Sequence, residues 1–307
     1  MILISILTAA VVLLTFYGWM GTPLLLALSL SVAALILVLG RHHEHRHDDL
    51  TMLDSLAVRS RLSSMNPALK AAFFVLILIV SVAVDSVPLN AAVIVLMALI
   101  TVAGGKIPLH AYLELLLIPA AFLLVGGLAL LLDYSPVPSG VLQLPFFAGY
   151  LVVTRACQIS SLVILCKALA AVSCLYALSL STPLHELIAV LRKLKLPELV
   201  IELMFLIYRY IFILSRILSD MKTAADARFG FSCRSAVMRT AGGTMTNLLI
   251  LSFRKASTSY DAMESRCYDG HLVFFTSPKA VKELHLLMAF CCILALSAVY
   301  CVGRWFL

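Results

Sequence analysis

Charged side chains are scarce in this sequence: Asp, Glu, Lys and Arg make up 13% of its 307 residues. Soluble domains carry about 25%. A chain so poor in charge, and 62% hydrophobic, lacks the polar surface to cover itself in water. Lipid as a solvent removes that difficulty, so the composition excludes an ordinary soluble enzyme or a nucleic-acid-binding domain.

Catalytic signatures are missing as well. There is no GxxxxGK[ST], and Gly104-Gly105-Lys106 is a turn without the spacing of a phosphate-binding loop, so any ATP must be hydrolysed elsewhere. GxSxG and the Rossmann fingerprint are also absent. The eight cysteines contain no CxxC pair. Six lie in apolar runs, while Cys233 and Cys267 lie in a basic stretch, which reads as reduced thiols without a disulfide framework or zinc site. No cofactor is expected.

What the chain has instead is long apolar runs. A membrane-crossing helix takes about 20 apolar residues, with about 17 as a working minimum. Runs at 2–17, 23–39, 67–84, 88–103, 109–132, 147–179 and 284–303 meet or approach that length. Met1 to Gly40 has no leading charge and two apolar runs flanking Gly18-Trp19-Met20-Gly21-Thr22-Pro23, so it reads as a retained helical hairpin rather than a signal peptide. The fold class expected is all-α: a polytopic membrane helical bundle of five core spans plus this hairpin, with cytoplasmic crossed helices. Between about Tyr150 and Pro183 no Gly or Pro intervenes. Its roughly 31 helical residues would run about 46 Å, against a hydrocarbon core of about 30 Å.

Basic residues accumulate on cytoplasmic loops. Fourteen of the 23 Lys and Arg fall between 183 and 282, which places that stretch in the cytosol. The loop from Asp133 to Pro145 has no Lys or Arg and belongs outside. Alternation then puts 41–66 inside, 85–88 outside, 104–108 inside and 180–283 inside. The organisation expected is a hairpin at 1–40, a His-rich cytoplasmic loop at 41–66, a core bundle at 67–179, a helical platform at 180–283 and a last span at 284–307. Within the core, Arg155 is expected near the outer end of its span and Lys167 near the inner interface, with a substrate path as the alternative. Ala120, Ala121, Gly126 and Gly127 mark close helix packing.

In the cytoplasmic stretch, Thr182-Pro183 opens a short amphipathic helix ended by Pro197. A second helix is predicted from about Glu198 to Arg228, with the stripe Leu203, Ile207, Tyr210, Leu214, Ile217, Met221 and Ala224 as a packing seam. A third is predicted from about Ser235 to Arg266. Its stripe Ala241, Met245, Leu249, Ser252, Ala256, Ser259 and Met263 is small or flexible, which lets two helix backbones approach. Two long helices would cross, each ending in an arginine, Arg228 and Arg266. Such basic tips could dock into a cytoplasmic partner; they could equally be solvated charges complementing the helix dipole.

Three stretches carry a resemblance: Ser181-Thr182-Pro183-Leu184-His185-Glu186-Leu187, Leu206-Ile207-Tyr208-Arg209-Tyr210-Ile211-Phe212, and Ser259 to Gly270. Together with Asp54, Arg59, Arg61, Asn66, Pro67 and Lys70 they resemble the T-component family of energy-coupling-factor importers, closest to its cobalt branch, CbiQ. The resemblance implies a non-catalytic cell-membrane subunit that links two ATP-binding-cassette ATPases to a separate substrate-binding membrane subunit for cobalt or nickel. A T component serving a vitamin importer is the alternative. It also implies that ATPase coupling runs through Ala227-Arg228 and Ser265-Arg266-Cys267, which match the family's two Ala-Arg-Gly motifs imperfectly. Phe229 intervenes before Gly230, and the second copy keeps only its arginine.

His42, His43, His45 and His47, with Glu44, Asp48 and Asp49, form a dense group of potential metal ligands. The same composition also describes a solvated juxtamembrane loop. Two rival classes are weaker. A metal-dependent intramembrane enzyme would need ligands converging from several segments, and His110, His185, His271 and His285 are isolated. A secondary transporter would want internal repeats and interrupted helices.

Overall fold

The computed structural model describes residues 2–17, 29–30, 54, 56–135, 142–146, 149–194, 196–270, 279 and 283–306. Among them the helices are α1 (Ile2–Phe16), α2 (Pro67–Ala83), α3 (Val87–Leu99), α4 (Leu109–Leu131), α5 (Arg155–Ser181), α6 (Leu184–Lys193), α7 (Glu198–Ala227), α8 (Arg234–Glu264) and α9 (Glu283–Phe306). Three strands, β1 (Asp133–Ser135), β2 (Leu142–Phe146) and β3 (Gly149–Val153), lie between α4 and α5. The chain divides into two compact units, one of Met1–Pro183 with Lys279–Leu307 and one of Leu184–Pro278.

Among the described residues of the first unit, four helical segments are long and apolar enough to cross a membrane: Val87–Gly104, Leu109–Leu131, Arg155–Ser181 and His285–Gly303. Pro67–Ala83 is a shorter apolar helix. The run at 23–39 lies outside the described residues, apart from helical Ser29 and Leu30. Local chemistry sets the helix starts. Asn66 caps α2 by accepting from the Ala68 N–H at 3.0 Å, and Pro67 takes the first helical position, where no donor is lost. The turn before α3 leads into Pro88 as the second helical residue, with no side-chain cap from Ser86.

Helix α5 is the hub and packs against α1, α2, α3 and α4. Phe74, Ile77, Leu89, Val93, Met97, Ala170, Cys174, Ala177 and Leu296 form one buried cluster from α2, α3, α5 and α9. Hydrocarbon solvates Leu as well as protein does, so close packing and interhelical hydrogen bonds hold such a bundle. Ser81 donates to Asn90 Oδ1 at 2.8 Å inside the α2–α3 pair, and Ser161 donates to the Gly127 carbonyl across α4–α5. A methyl on Gly127 would come within 2.8 Å of Leu165 Cδ1, so this glycine does bring two helices close, whereas Gly126 faces open space. Elsewhere α4 and α9 turn Ile118, Phe122, Leu287 and Phe290 outward, as lipid-facing helices do.

The segment before α5 departs from expectation. The span predicted to begin near residue 147 starts at Arg155, and the loop ahead of it is a three-stranded antiparallel sheet in the order β1-β3-β2, with Leu144 and Tyr134 both opposite Leu151. Tyr150, Leu151, Val152 and Val153 favour a strand once partners are available, and a pattern read along the chain does not reveal partners. The helix therefore has 27 residues and runs about 40 Å. Gln158 near its start donates to the carbonyls of Leu14 at 2.8 Å and Tyr17 at 3.2 Å, capping the end of α1.

Lys167 is a second correction. Its ammonium pairs with Asp85, in the turn between α2 and α3. Charge alternation expects that turn outside, and the pair joins Lys167 to it rather than to the inner side expected for this lysine. The α2–α3 hairpin ends midway along α5. The twelve residues before Lys167 continue past it with the sheet.

Candidate functional site

In the second unit, α7 and α8 run close to their predicted limits, and each ends in the same backbone turn. At the first, the Phe229 N–H bonds the Asp226 carbonyl at 2.9 Å and the Gly230 N–H bonds Ala225 at 2.9 Å. At the second, the Cys267 N–H bonds Glu264 at 2.9 Å and the Tyr268 N–H bonds Met263 at 3.1 Å. Both patterns are Schellman motifs, which satisfy the orphaned carbonyls of a helix end. Their left-handed residues are Phe229, with φ 56°, and Cys267, with φ 60°. Arg228 and Arg266 occupy equivalent cap positions, each with an acidic residue two places earlier, Asp226 and Glu264. The imperfect matches to Ala-Arg-Gly therefore share one geometry, built without glycine at the left-handed position.

Both arginines are exposed, and among the described residues neither guanidinium has a salt-bridge or hydrogen-bond partner. Ala227, Ser265 and Cys267 beside them are exposed too, and Phe229 is 80% exposed. A free guanidinium flanked by solvent-facing apolar carbon suits a carboxylate or carbonyl-lined groove in another chain.

The hairpin between α7 and α8 fixes where these turns lie. Thr240 donates to the Gly230 carbonyl at 2.9 Å, tying the start of α8 to the first turn. A side chain at Gly230 would meet the Ala225 carbonyl at 2.9 Å and the Thr240 hydroxyl at 3.0 Å. At the other end, the Tyr268 hydroxyl is hydrogen-bonded to the buried Glu202 near the start of α7. Partial burial and the adjoining Glu202 and Asp269 carboxylates raise the Tyr268 hydroxyl above its ordinary value of 10.0. The phenol therefore stays a donor below about pH 10, and this contact is lost only as pH rises through that raised value. Tyr268 sits two residues from Arg266, and the 26 residues from Glu202 to Arg228 rise 1.5 Å each. The two arginines are thus on the order of 40 Å apart along α7.

Of the predicted seam, Tyr210, Leu214, Ile217 and Met221 on α7 and Ser252, Ser259 and Met263 on α8 are partly covered, while Leu203, Ile207, Ala224, Ala241, Met245, Leu249 and Ala256 are exposed. On the first half of α8 the covered row is Ala236, Thr240, Thr244 and Leu248. Helices that cross touch over a short segment, so the covered row drifts around each one. A fixed heptad does not follow that drift. Tyr208 and Phe212 stack edge-on at 5.0 Å, and Arg192 reaches Glu198 at 3.1 Å between α6 and α7.

His42, His43, His45 and His47 lie outside the described residues. Among the described residues no cluster of three metal-ligating side chains occurs.

A feature that sequence reading left without a role stands in the first unit. The short turn Arg61–Ser64 before α2 meets the end of α5 and the residue that leads into α9. The Lys70 ammonium, 4% exposed, donates to the carbonyls of Leu62 at 2.9 Å and Ser181 at 2.7 Å. A lysine three residues after Asn66-Pro67, inside an apolar run, was the available signal.

The sequence model of the cobalt transport protein family CbiQ matches residues 58–274, a stretch that includes both arginine turns and the turn before α2. An uncharacterised protein of Methanocaldococcus jannaschii is 36% identical over 106 residues, 34% of this chain and 40% of that protein. The putative fused cobalt transport protein CbiMQ of Methanocorpusculum labreanum is 27% identical over 84% of this chain and 43% of its own length. The cobalt transport protein CbiQ of Rhodobacter capsulatus is 28% identical over 55% of this chain and 64% of its own length. The matched stretches thus span between 40% and 64% of these three relatives.

Proposed function

Because the chain belongs to the CbiQ family of cobalt transport proteins and is a multi-pass membrane protein, we propose that it is the non-catalytic coupling subunit of an ATP-driven importer for cobalt or nickel. One observation carries this reading: two partner-free arginines stand on matching helix-end turns roughly 40 Å apart along a single helix. That arrangement suits two similar docking sites on a pair of chains. With no phosphate-binding loop of its own, this subunit takes its energy from two ATP-binding-cassette ATPases, one at each arginine. Closure of the ATPase pair on ATP moves the two helix ends together or apart. The crossed helices pass that displacement to the membrane bundle, which reorients a separate substrate-binding membrane subunit. The relative described as a fused cobalt transport protein, more than half of it lying beyond the match, supports such a membrane companion.

The test is substitution at the tips. A hydrogen bond to a charged group is worth about 1.5–3 kcal/mol, so Arg228→Ala and Arg266→Ala should each weaken ATPase docking about tenfold or more. Co-purification of the ATPases and ATP-driven cobalt uptake in vesicles report the loss. Full uptake by the double variant would remove the docking role.

A further inference from the structure

The chain leaves the first unit once, after Pro183, and returns once, at Lys279. Both points are fastened to one short loop. Lys70 binds the carbonyls of Leu62 in that loop and Ser181 at the last turn of α5, two residues before the exit. Lys279, at the return, donates through its ammonium to the Ser63 carbonyl at 2.5 Å. Its own carbonyl accepts from Asn66 Nδ2 at 2.7 Å, while Asn66 Oδ1 caps α2. The same loop braces the turn between α3 and α4. A methyl on Gly104 would touch Leu62 at 3.6 Å, and one on Gly105 would lie 3.2 Å from the Ser60 hydroxyl.

We infer that the segment Ser60–Lys70 is the fulcrum at which motion of Leu184–Pro278 enters the membrane helices, with Lys70 and Lys279 as its positioning residues. This rests on the coupling role proposed above. The physical reason lies in the donors. The C-terminal carbonyls of α5 are orphaned and carry the negative end of the helix dipole, and a buried ammonium satisfies them while holding Leu62 with its other protons. Lys279 does the same for the returning strand. A displacement of either strand is thereby delivered to α2, α5 and the α3–α4 turn together, instead of being absorbed by a slack connection. Methionine keeps the apolar stem of lysine and removes every donor.

Two measurements test this on the full-length chain. In the reconstituted importer, Lys279→Met should lower the cobalt moved per ATP hydrolysed about fivefold or more while the ATPases still co-purify, and Lys279→Arg should restore it. In the chain alone in nanodiscs, Lys70→Met and Lys279→Met should each raise hydrogen exchange at 62–66 and 178–182 about tenfold. An unchanged ratio of transport to hydrolysis, or exchange equal to that of the unsubstituted chain, overturns the fulcrum. A parallel fall in assembly, hydrolysis and uptake does so too, since it marks a merely structural role. If the unsubstituted chain recruits no ATPase, the coupling reading fails by itself, and the exchange comparison still decides the clamp.

Discussion

Arg228 and Arg266 owe their presentation to the residue that follows each. Phe229 and Cys267 hold the left-handed conformation that a helix-ending turn requires, φ 56° and 60°, although neither is glycine. A side chain there pushes its Cβ against the next carbonyl, at a cost of about 1–2 kcal/mol. Both turns form regardless, because their two backbone hydrogen bonds close the helix end. Glycine at either position relieves the clash and loses part of that gain to its freer unfolded state. Cys267→Gly and Phe229→Gly are therefore expected to stabilise the chain by about 1 kcal/mol each. Thermal unfolding of the purified protein in detergent reads this directly, and a lowered midpoint for both would show that the side chains supply contacts outweighing the strain. Phe229 is also the aromatic beside the first guanidinium, so its loss and the loss of Arg228 can be compared in one docking assay.

Among the elements, the end of α3 is the least regular. Its last turn, Ile100–Gly104, is a π-helix, and the Gly105 N–H bonds the carbonyls of both Ile100 and Thr101. Wide turns of this kind concentrate at functional places. Here the turn lowers the α3–α4 connection onto the Ser60 side of the loop before α2. A Cβ at residue 105 would lie 2.5 Å from the Thr101 carbonyl, a backbone atom that cannot swing aside. Gly105→Ala should consequently cost about 1–3 kcal/mol, seen as a lower unfolding temperature, whereas Gly126→Ala, which meets nothing within 4 Å, serves as the control. Equal effects from the two substitutions would contradict the clash.

For the whole molecule the decisive property is sidedness. Asp85 lies in the turn between α2 and α3 and pairs with Lys167, while Cys233 and Cys267 lie in the basic stretch beyond α5. Charge alternation puts the first outside and the others inside. In intact cells, a membrane-impermeant maleimide should label an Asp85→Cys variant and leave Cys233 and Cys267 unmodified until the membrane is opened. Labelling of the two native cysteines in sealed cells would invert the topology and remove any access of cytosolic ATPases to Arg228 and Arg266.

Much of this was legible along the chain because a bilayer imposes a length and apolarity that a run of residues must meet by itself. The spans at 67–84, 88–103 and 109–132 correspond to α2, α3 and α4 with its predecessor turn, and Glu198 to Arg228 is α7 with its cap. The arginines stood out for the same reason, as charges at the ends of periodic segments. Other features depend on partners far apart in sequence. The strand at Gly149–Val153 exists through its pairing with 133–135 and 142–146, and Lys167 answers to Asp85. The loop before α2 gains its meaning when Ser181 and Lys279 arrive beside it. Composition and periodicity determined that this protein lives in a membrane and which segments are helices, since those depend on solvent and local geometry. Only the tertiary structure decided which backbone groups each buried ammonium satisfies, because a hydrogen bond is set by distance in space and not by position along the chain.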